Sequence, residues 1–236
     1  YSETGIKALE GVNFTLEAGT TVAITGRTGS GKSTILQLVM RMMDPTEGSI
    51  SFKGAELGIW KLDKYREHTG YVPQDVFLFS DTIENNISFG VKEFKSKERE
   101  KERITESALD AGVLEDIKGF EHGFETLLGE RGVNLSGGQK QRISIARALI
   151  REPELLILDD CLSAVDVITE KHILGRLKKG NDSRSTLVVS HRISTVKDAD
   201  LILVIEEGQI VERGTHQELI NTGGLYAEMD KKQESS

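Results

Sequence analysis

Apolar positions along the chain change period several times. Val12, Phe14 and Leu16 alternate with polar residues, the spacing of a half-buried strand. After Glu17-Ala18-Gly19, the run Val22-Ala23-Ile24 predicts a buried strand pointing into a glycine-rich loop. From Lys32 the period becomes helical, with Ile35, Leu36, Val39, Met40 and Met43 recurring until Asp44-Pro45 closes the segment. Ser49 to Phe52 and Gly70 to Val72 read as short strands on either side of a charged stretch, and Pro73-Gln74 breaks the second. Thr82 to Arg151 reads mainly helical, with Ile104, Ala108 and Leu109 on one face and Ile143, Ala146, Leu149 and Ile150 on another. Beyond Pro153 the order is strand, helix, strand: Leu155 to Leu158, Asp166 to Leu177, Leu187 to Ser190. Leu201 to Ile205, a turn at Glu207-Gly208, a strand from Gln209 to Val211 and short helices near Gln217 and Tyr226 follow. Short buried strands alternating with helices imply an α/β fold with a parallel sheet.

Composition narrows the function classes. With 37% hydrophobic residues and 24 glycines, the 236-residue chain has the makeup of a globular protein. Its net charge of -8 argues against a nucleic-acid partner, because phosphate neutralisation needs a basic surface. One cysteine, Cys161, rules out a disulfide within the chain and fits a reducing compartment. No apolar run approaches the roughly 18 residues of a membrane span; the longest, Leu201 to Ile205, ends at Glu206-Glu207. The start at Tyr1, without an initiator Met and with a strand pattern close behind, is what a piece of a longer polypeptide would show. Lys92 to Arg103 mixes six basic with four acidic residues, the pattern of a solvated helix face. Cys161 and Trp60 read as filler positions.

Three motifs carry chemistry. Gly26-Arg27-Thr28-Gly29-Ser30-Gly31-Lys32-Ser33, followed by Thr34, has the P-loop spacing between an apolar strand and a helix. Its glycines let backbone N–H groups approach phosphate oxygens, Lys32 is placed for the β- and γ-phosphates and the Ser33 hydroxyl for Mg²⁺. A P-loop alone leaves GTPases, kinases and RecA-like motors open. Leu155 to Leu158 ends in Asp159-Asp160, and a buried strand delivers such carboxylates to the nucleotide crevice. Asp159 is then placed for Mg²⁺ and Asp160 to orient or deprotonate the attacking water. Leu135-Ser136-Gly137-Gly138-Gln139, ahead of an amphipathic helix, is a second anion-binding helix start on the same chain.

That third motif resembles the LSGGQ signature of the ABC ATPase family, and the resemblance covers essentially the whole chain. It implies a P-loop NTPase, RecA-like core with a parallel sheet, a small antiparallel β subdomain and an inserted helical subdomain. Residues 1–74 and 153–236 would form the core and β lobe of one ABC domain, and 75–152 the helical subdomain. It implies ATP and Mg²⁺ as ligands, and a second ABC nucleotide-binding domain as partner, whose ATP would be met by Ser136, Gly137, Gly138 and Gln139. Gln74, after Tyr71-Val72-Pro73, matches the Q-loop, a Mg²⁺ contact. His191 matches the switch histidine on the γ-phosphate, and Ser163-Ala164-Val165-Asp166 the D-loop. Tyr1 stands at the spacing of the adenine-stacking aromatic.

The branch is exporter-like. Gly129-Glu130-Arg131-Gly132 resembles the end of the exporter X-loop, although its usual acidic position reads Leu127. Asp81 to Ile87 and Val211 to His216 also resemble exporters, which implies transmembrane domains upstream on the same polypeptide and a place at the cytoplasmic face of a membrane. One departure concerns catalysis: Asp160 stands where the family normally has Glu. Such members are often the degenerate half of a heterodimeric exporter; a homodimer with two slow sites, a non-hydrolytic gating subunit and an importer ATPase are the other readings.

Overall fold

The computed structural model describes Gly5, residues 7–179 and residues 183–235. Along the chain run β1 (Thr21–Thr25), α1 (Lys32–Val39), β2 (Ser51–Phe52), β3 (Ala55–Glu56), α2 (Leu62–Glu67), β4 (Thr69–Val72) and α3 (Ile83–Ser88). There follow α4 (Lys97–Asp110), α5 (Leu114–Gly119), α6 (Gly137–Leu149), β5 (Leu155–Asp159), α7 (Val167–Lys179) and β6 (Ser185–Val189). The chain continues through α8 (Ile193–Val196), β7 (Leu201–Glu206), β8 (Gln209–Gly214), α9 (His216–Thr222) and α10 (Leu225–Glu234). The fold is α/β, with a mostly parallel sheet and a small antiparallel one, and it divides into two compact units, 1–69 with 185–236, and 70–184.

In the first unit β1 lies between β6 and β7, parallel to both, with Ile24 beside Val189 on one side and Leu203 on the other. Burial on both faces explains its unbroken Val22-Ala23-Ile24 run. β7 returns through Glu207-Gly208 into antiparallel β8, and both turn residues have positive φ (46° and 78°), as a two-residue hairpin that follows the strand twist requires. β8 extends to Gly214, beyond the Gln209–Val211 strand read from the sequence. The small sheet pairs β2 with β3 and carries an aromatic cluster of Phe52, Trp60, Tyr65 and His68. Tyr65 is fully buried there, its hydroxyl donating to the Val39 carbonyl (2.7 Å) at the end of α1, and burial pushes the phenol up to about 12. Trp60 is thus part of this cluster.

One expected strand is absent. Residues 12, 14 and 16 are more buried than 13, 15 and 17, as the alternation predicts, yet the segment forms no strand. Alternation reports which side faces the protein; a strand also needs a neighbouring ladder to receive its N–H and C=O groups.

The second unit is mainly helical, and β4 neighbours β5 in it. Ile104 and Ala108 of α4 are buried, but Leu109 is 39% exposed, one residue off the apolar stripe on which it was expected. The charged run of 92–103 enters α4 after Ser96, whose hydroxyl caps it by accepting from Arg99 N–H (3.2 Å). Arg147 on α6 organises the turn before α3. Its guanidinium donates to the Asn86 carbonyl, the Asn86 Oδ1 and the Phe77 carbonyl, each at 2.8 Å, and lies over the rings of Phe79 and Phe89. Asn86, fully buried, uses its remaining capacity on Phe79 N–H and on the Phe79 and Thr82 carbonyls. Burial lowers the Arg147 pKa to about 10, still above neutral pH. Arg147→Met is expected to destabilise the chain by about 3 kcal/mol, because it orphans acceptors that bonded a charged donor; the midpoint of urea unfolding measures it.

Candidate functional site

The P-loop occupies the turn from β1 into α1. Gly26 (φ 145°), Gly29 (φ 81°) and Gly31 (φ 108°) adopt backbone conformations that L side chains rarely reach. At Gly26 a Cβ would overlap the Ile205 carbonyl oxygen, and at Gly31 it would lie 2.8 Å from Leu9 Cδ2 and 2.9 Å from the Ala8 carbonyl oxygen. The hairpin turn braces the same loop: Gly208 N–H donates to the Ser30 carbonyl and Glu10 N–H to the Gly208 carbonyl. Lys32 folds across the loop, its Nζ donating to the carbonyls of Gly26 and Arg27 at 2.8 Å each. Arg27, Thr28 and Gly29 are exposed at the rim, Ser30 is buried, and Ser33 is exposed in the first turn of α1 with Thr34 half-buried beside it.

This cradle fits a polyphosphate. An α-helix cannot itself pair the N–H groups of its first turn, and α1 begins at Gly31 without a side-chain cap or an acidic residue in that turn. The positive end of the helix therefore stands against the loop that holds the Lys32 ammonium. His191 leaves the C-terminal end of β6, neighbour of β1, so it and the P-loop emerge from the same edge of adjacent parallel strands. It is exposed. Tyr1 lies outside the described residues.

The second unit holds the other expected residues. Asp159 ends β5, half-buried, and Oδ2 accepts from the Tyr71 hydroxyl at 3.1 Å. Burial, then the Asp159 charge, pushes that phenol up to about 12, so it stays a donor. Tyr71 belongs to β4, whose continuation carries the exposed Gln74. Asp160 is 7% exposed and has φ 44°, a left-handed conformation uncommon for a residue with a side chain, though Asp tolerates it better than most. Cys161 beside it is buried, and burial raises its thiol pKa, which leaves it an inert packing residue.

The signature stretch starts α6 with a reciprocal capping box. Ser136 Oγ accepts from Gln139 N–H (3.2 Å) and Gln139 Oε1 accepts from Ser136 N–H (3.0 Å). Gln139 Nε2 also donates to Asp116 Oδ1 (2.9 Å), so both polar ends of this side chain are used inside its own unit. Arg142 grips the same carboxylate at 2.7 and 3.3 Å. Burial opposes ionisation of Asp116, but the bonds from Gln139 and Arg142, with the Arg142 charge, win and lower its pKa. Ser136 and Gly137 are exposed, and no acidic residue sits in the first turn. A Cβ at Gly138 would lie 3.0 Å from the Ala164 carbonyl oxygen, so the backbone at Ala164 passes close to the start of α6. Gln141 joins the two, accepting from Ala164 N–H (3.1 Å). Asp166 caps α7 by accepting from the N–H groups of Ile168 and Thr169.

A P-loop, a paired-Asp strand end and a second uncovered helix start on one chain agree with the sequence match: residues 9–163 fit the profile described as ABC transporter. The chain belongs to the ABC transporter family. It is 46% identical over 234 residues to the probable multidrug resistance ABC transporter ATP-binding/permease protein YheI of Bacillus subtilis, covering 99% of this chain and 39% of that protein. It is 45% identical over 229 residues to the ATP-dependent lipid A-core flippase of Pasteurella multocida, covering 97% and 39%. A solved structure described as a bacterial Atm1-family ABC exporter with ATP bound matches with a TM-score of 0.90 at 40% identity, covering 96% of this chain and 39% of that one. The chain thus spans less than half the length of these relatives, and its fold is that of an ABC exporter nucleotide-binding domain.

Within the ABC frame, two residues escaped the sequence reading. Tyr71 served there only to locate Gln74, and Gln141 drew no notice. Gln141 is 7% exposed, a buried amide two positions before Ile143 of an apolar stripe, which is the signal that could have drawn attention to it.

Proposed function

We propose that the chain is the ATP-binding motor domain of an ABC exporter, closing face to face with a second ABC domain around Mg-ATP to drive transport through membrane domains on the same polypeptide. The domain would then work at the cytoplasmic face of the membrane, with residues 75–152 as its helical subdomain and no nucleic-acid partner. The observation that carries the reading is the exposed start of α6 at Ser136-Gly137, which has no acidic residue in its first turn and offers a second anion-accepting helix end beside the P-loop. It is fitted to the nucleotide of a partner.

In this reading Gly26 to Thr34 cradle the phosphates, with Lys32 exchanging its loop carbonyls for β- and γ-phosphate oxygens. Magnesium, when bound, neutralises phosphate charge. Ser33, Gln74 and Asp159 would be its protein ligands, few in number because Mg²⁺ is typically shared between one or two carboxylates, waters and substrate phosphates. Tyr71 holds the Asp159 carboxylate in one rotamer. Asp160 orients or deprotonates the attacking water, and His191 meets the γ-phosphate. Tyr1 would stack on adenine. Because Asp160 is one methylene shorter than the usual Glu, this half would turn over slowly and act chiefly to hold the dimer shut, while its signature completes a faster site on a heterodimeric partner.

Gly137→Asp tests the division of labour. A Cβ there lies 3.4 Å from Ala164 Cβ, an ordinary contact, and Asp in a first turn suits the helix dipole, so folding should survive. The expected result is Mg-ATP affinity of the isolated chain within about twofold of the parent, with ATP-driven association and mixed turnover beside a Glu-bearing partner domain reduced by about a hundredfold, the cost of a carboxylate facing phosphate. Intact mixed turnover in the variant would sink the reading.

A further inference from the structure

The loop carrying His191 is held from two sides. At the sheet, Ser190 N–H donates to the Ile24 carbonyl (3.1 Å) and Arg192 N–H to Ser190 Oγ (3.1 Å). From the other side comes Gln233 of α10. Gln233 Nε2 donates to the His191 carbonyl oxygen (2.6 Å), and Gln233 Oε1 accepts from Ile193 N–H (2.8 Å). Ile193 opens α8, whose N-cap residue Arg192 contributes no side-chain cap, so an amide some forty residues away in the chain does the capping. A side chain that donates to one backbone group and accepts from another two residues on fixes the rotation of the loop as well as its position.

α10 is itself anchored at its other end. The Glu212 carboxylate accepts from the N–H groups of Leu225 (2.5 Å) and Tyr226 (3.2 Å). Tyr226 is fully buried, its hydroxyl bonded to His216 Nδ1 at 2.8 Å. Gln233 follows about two turns later on the same helix. The placement of the His191 backbone is therefore tied to the docking of α10.

We propose that Gln233 is a positioning residue for the switch histidine: through its amide, α10 holds residues 191–193 in the orientation from which the His191 imidazole reaches the γ-phosphate. The inference rests on the γ-phosphate role of His191 proposed above. Its consequence is selective. Loss of the clamp weakens the response to the third phosphate and leaves the P-loop grip on the other two untouched.

The test uses the 236-residue chain with Gln233→Ala, Gln233→Glu and His191→Ala. Gln233→Glu keeps an acceptor for Ile193 N–H but turns an oxygen toward the His191 carbonyl. Without nucleotide, both Gln233 variants should shift the His191 imidazole NMR resonance, assigned by its disappearance in His191→Ala, and Gln233→Ala should speed hydrogen exchange at the Ile193 amide. With nucleotide, displacement of a fluorescent analogue should show the preference for Mg-ATP over Mg-ADP falling about tenfold in both Gln233 variants and in His191→Ala, the worth of one hydrogen bond to a charged group, with ADP affinity held. Combining Gln233→Glu with His191→Ala should add nothing further. An unmoved His191 resonance, or a preference lost in His191→Ala and kept in both Gln233 variants, overturns the positioning role alone. A preference kept in His191→Ala overturns the γ-phosphate role, and this inference with it.

Discussion

Gly26→Ala should abolish measurable nucleotide binding, lowering Mg-ATP affinity more than a hundredfold. The added Cβ would overlap the Ile205 carbonyl oxygen and lie 3.1 Å from Ser30 Oγ, and φ at 145° is itself unfavourable for alanine. Ile205 is fully buried in β7 and cannot retreat, so the loop must. Its displacement carries the Gly26 carbonyl, one of the two that hold Lys32, and misaims the N–H groups behind it. Two charge-assisted bonds from this loop to phosphate, lost at roughly 1.5–3 kcal/mol each, amount to a factor of a hundred or more in affinity. Gly29→Ala is the control: its Cβ would meet nothing within 4 Å, which leaves only the strain of φ 81°. That strain is about 1–2 kcal/mol, so a loss near tenfold is expected. Titration of both variants with Mg-ATP checks the order, and equal losses would mean that backbone conformation, rather than the Ile205 wall, limits the loop.

Asp160→Glu should act in opposite directions on stability and on turnover. The extra methylene advances the carboxylate by about a bond length, and misplacement of a catalytic group by about 1 Å can cost a hundredfold in rate, so turnover at this site should rise by up to about that factor. The backbone, however, holds φ at 44°, which Asp tolerates better than Glu, and the side chain is 7% exposed, so a longer one must be fitted into packed surroundings. A fall of about 1 kcal/mol in unfolding free energy is expected alongside the gain. Steady-state hydrolysis beside a partner domain and a denaturant melt measure the two effects. Parent and variant turning over equally fast would remove the slow-site proposal and make this domain an ordinary half of the proposed dimer.

These expectations draw unequally on sequence and on structure. The P-loop glycines and the Ser136–Gln139 cap were legible because their bonds close within a few residues; the capping box spans four positions and needs no neighbour. β1 and β5 were legible because strands buried on both faces must be apolar throughout. The segment at 12–16 was half legible: its alternation gave the buried side correctly, and its ladder was absent. Leu109 shows the same limit, since a helical period tolerates a one-residue error at the edge of a stripe.

The amino-acid sequence by itself determined the ABC family, the α/β class and the order of the P-loop, signature and paired-Asp motifs, all of which depend on contiguous residues and their periodicity. Only the tertiary structure decided what supports them. Tyr71 and Asp159 meet across 88 positions, Gln233 and His191 across 42, and Ile205 walls Gly26 from another strand. The left-handed backbone at Asp160 belongs with these. Such pairings have no local period, because they are set by which strands and helices pack side by side, and a hydrogen bond needs atoms within about 3 Å in space whatever their separation along the chain.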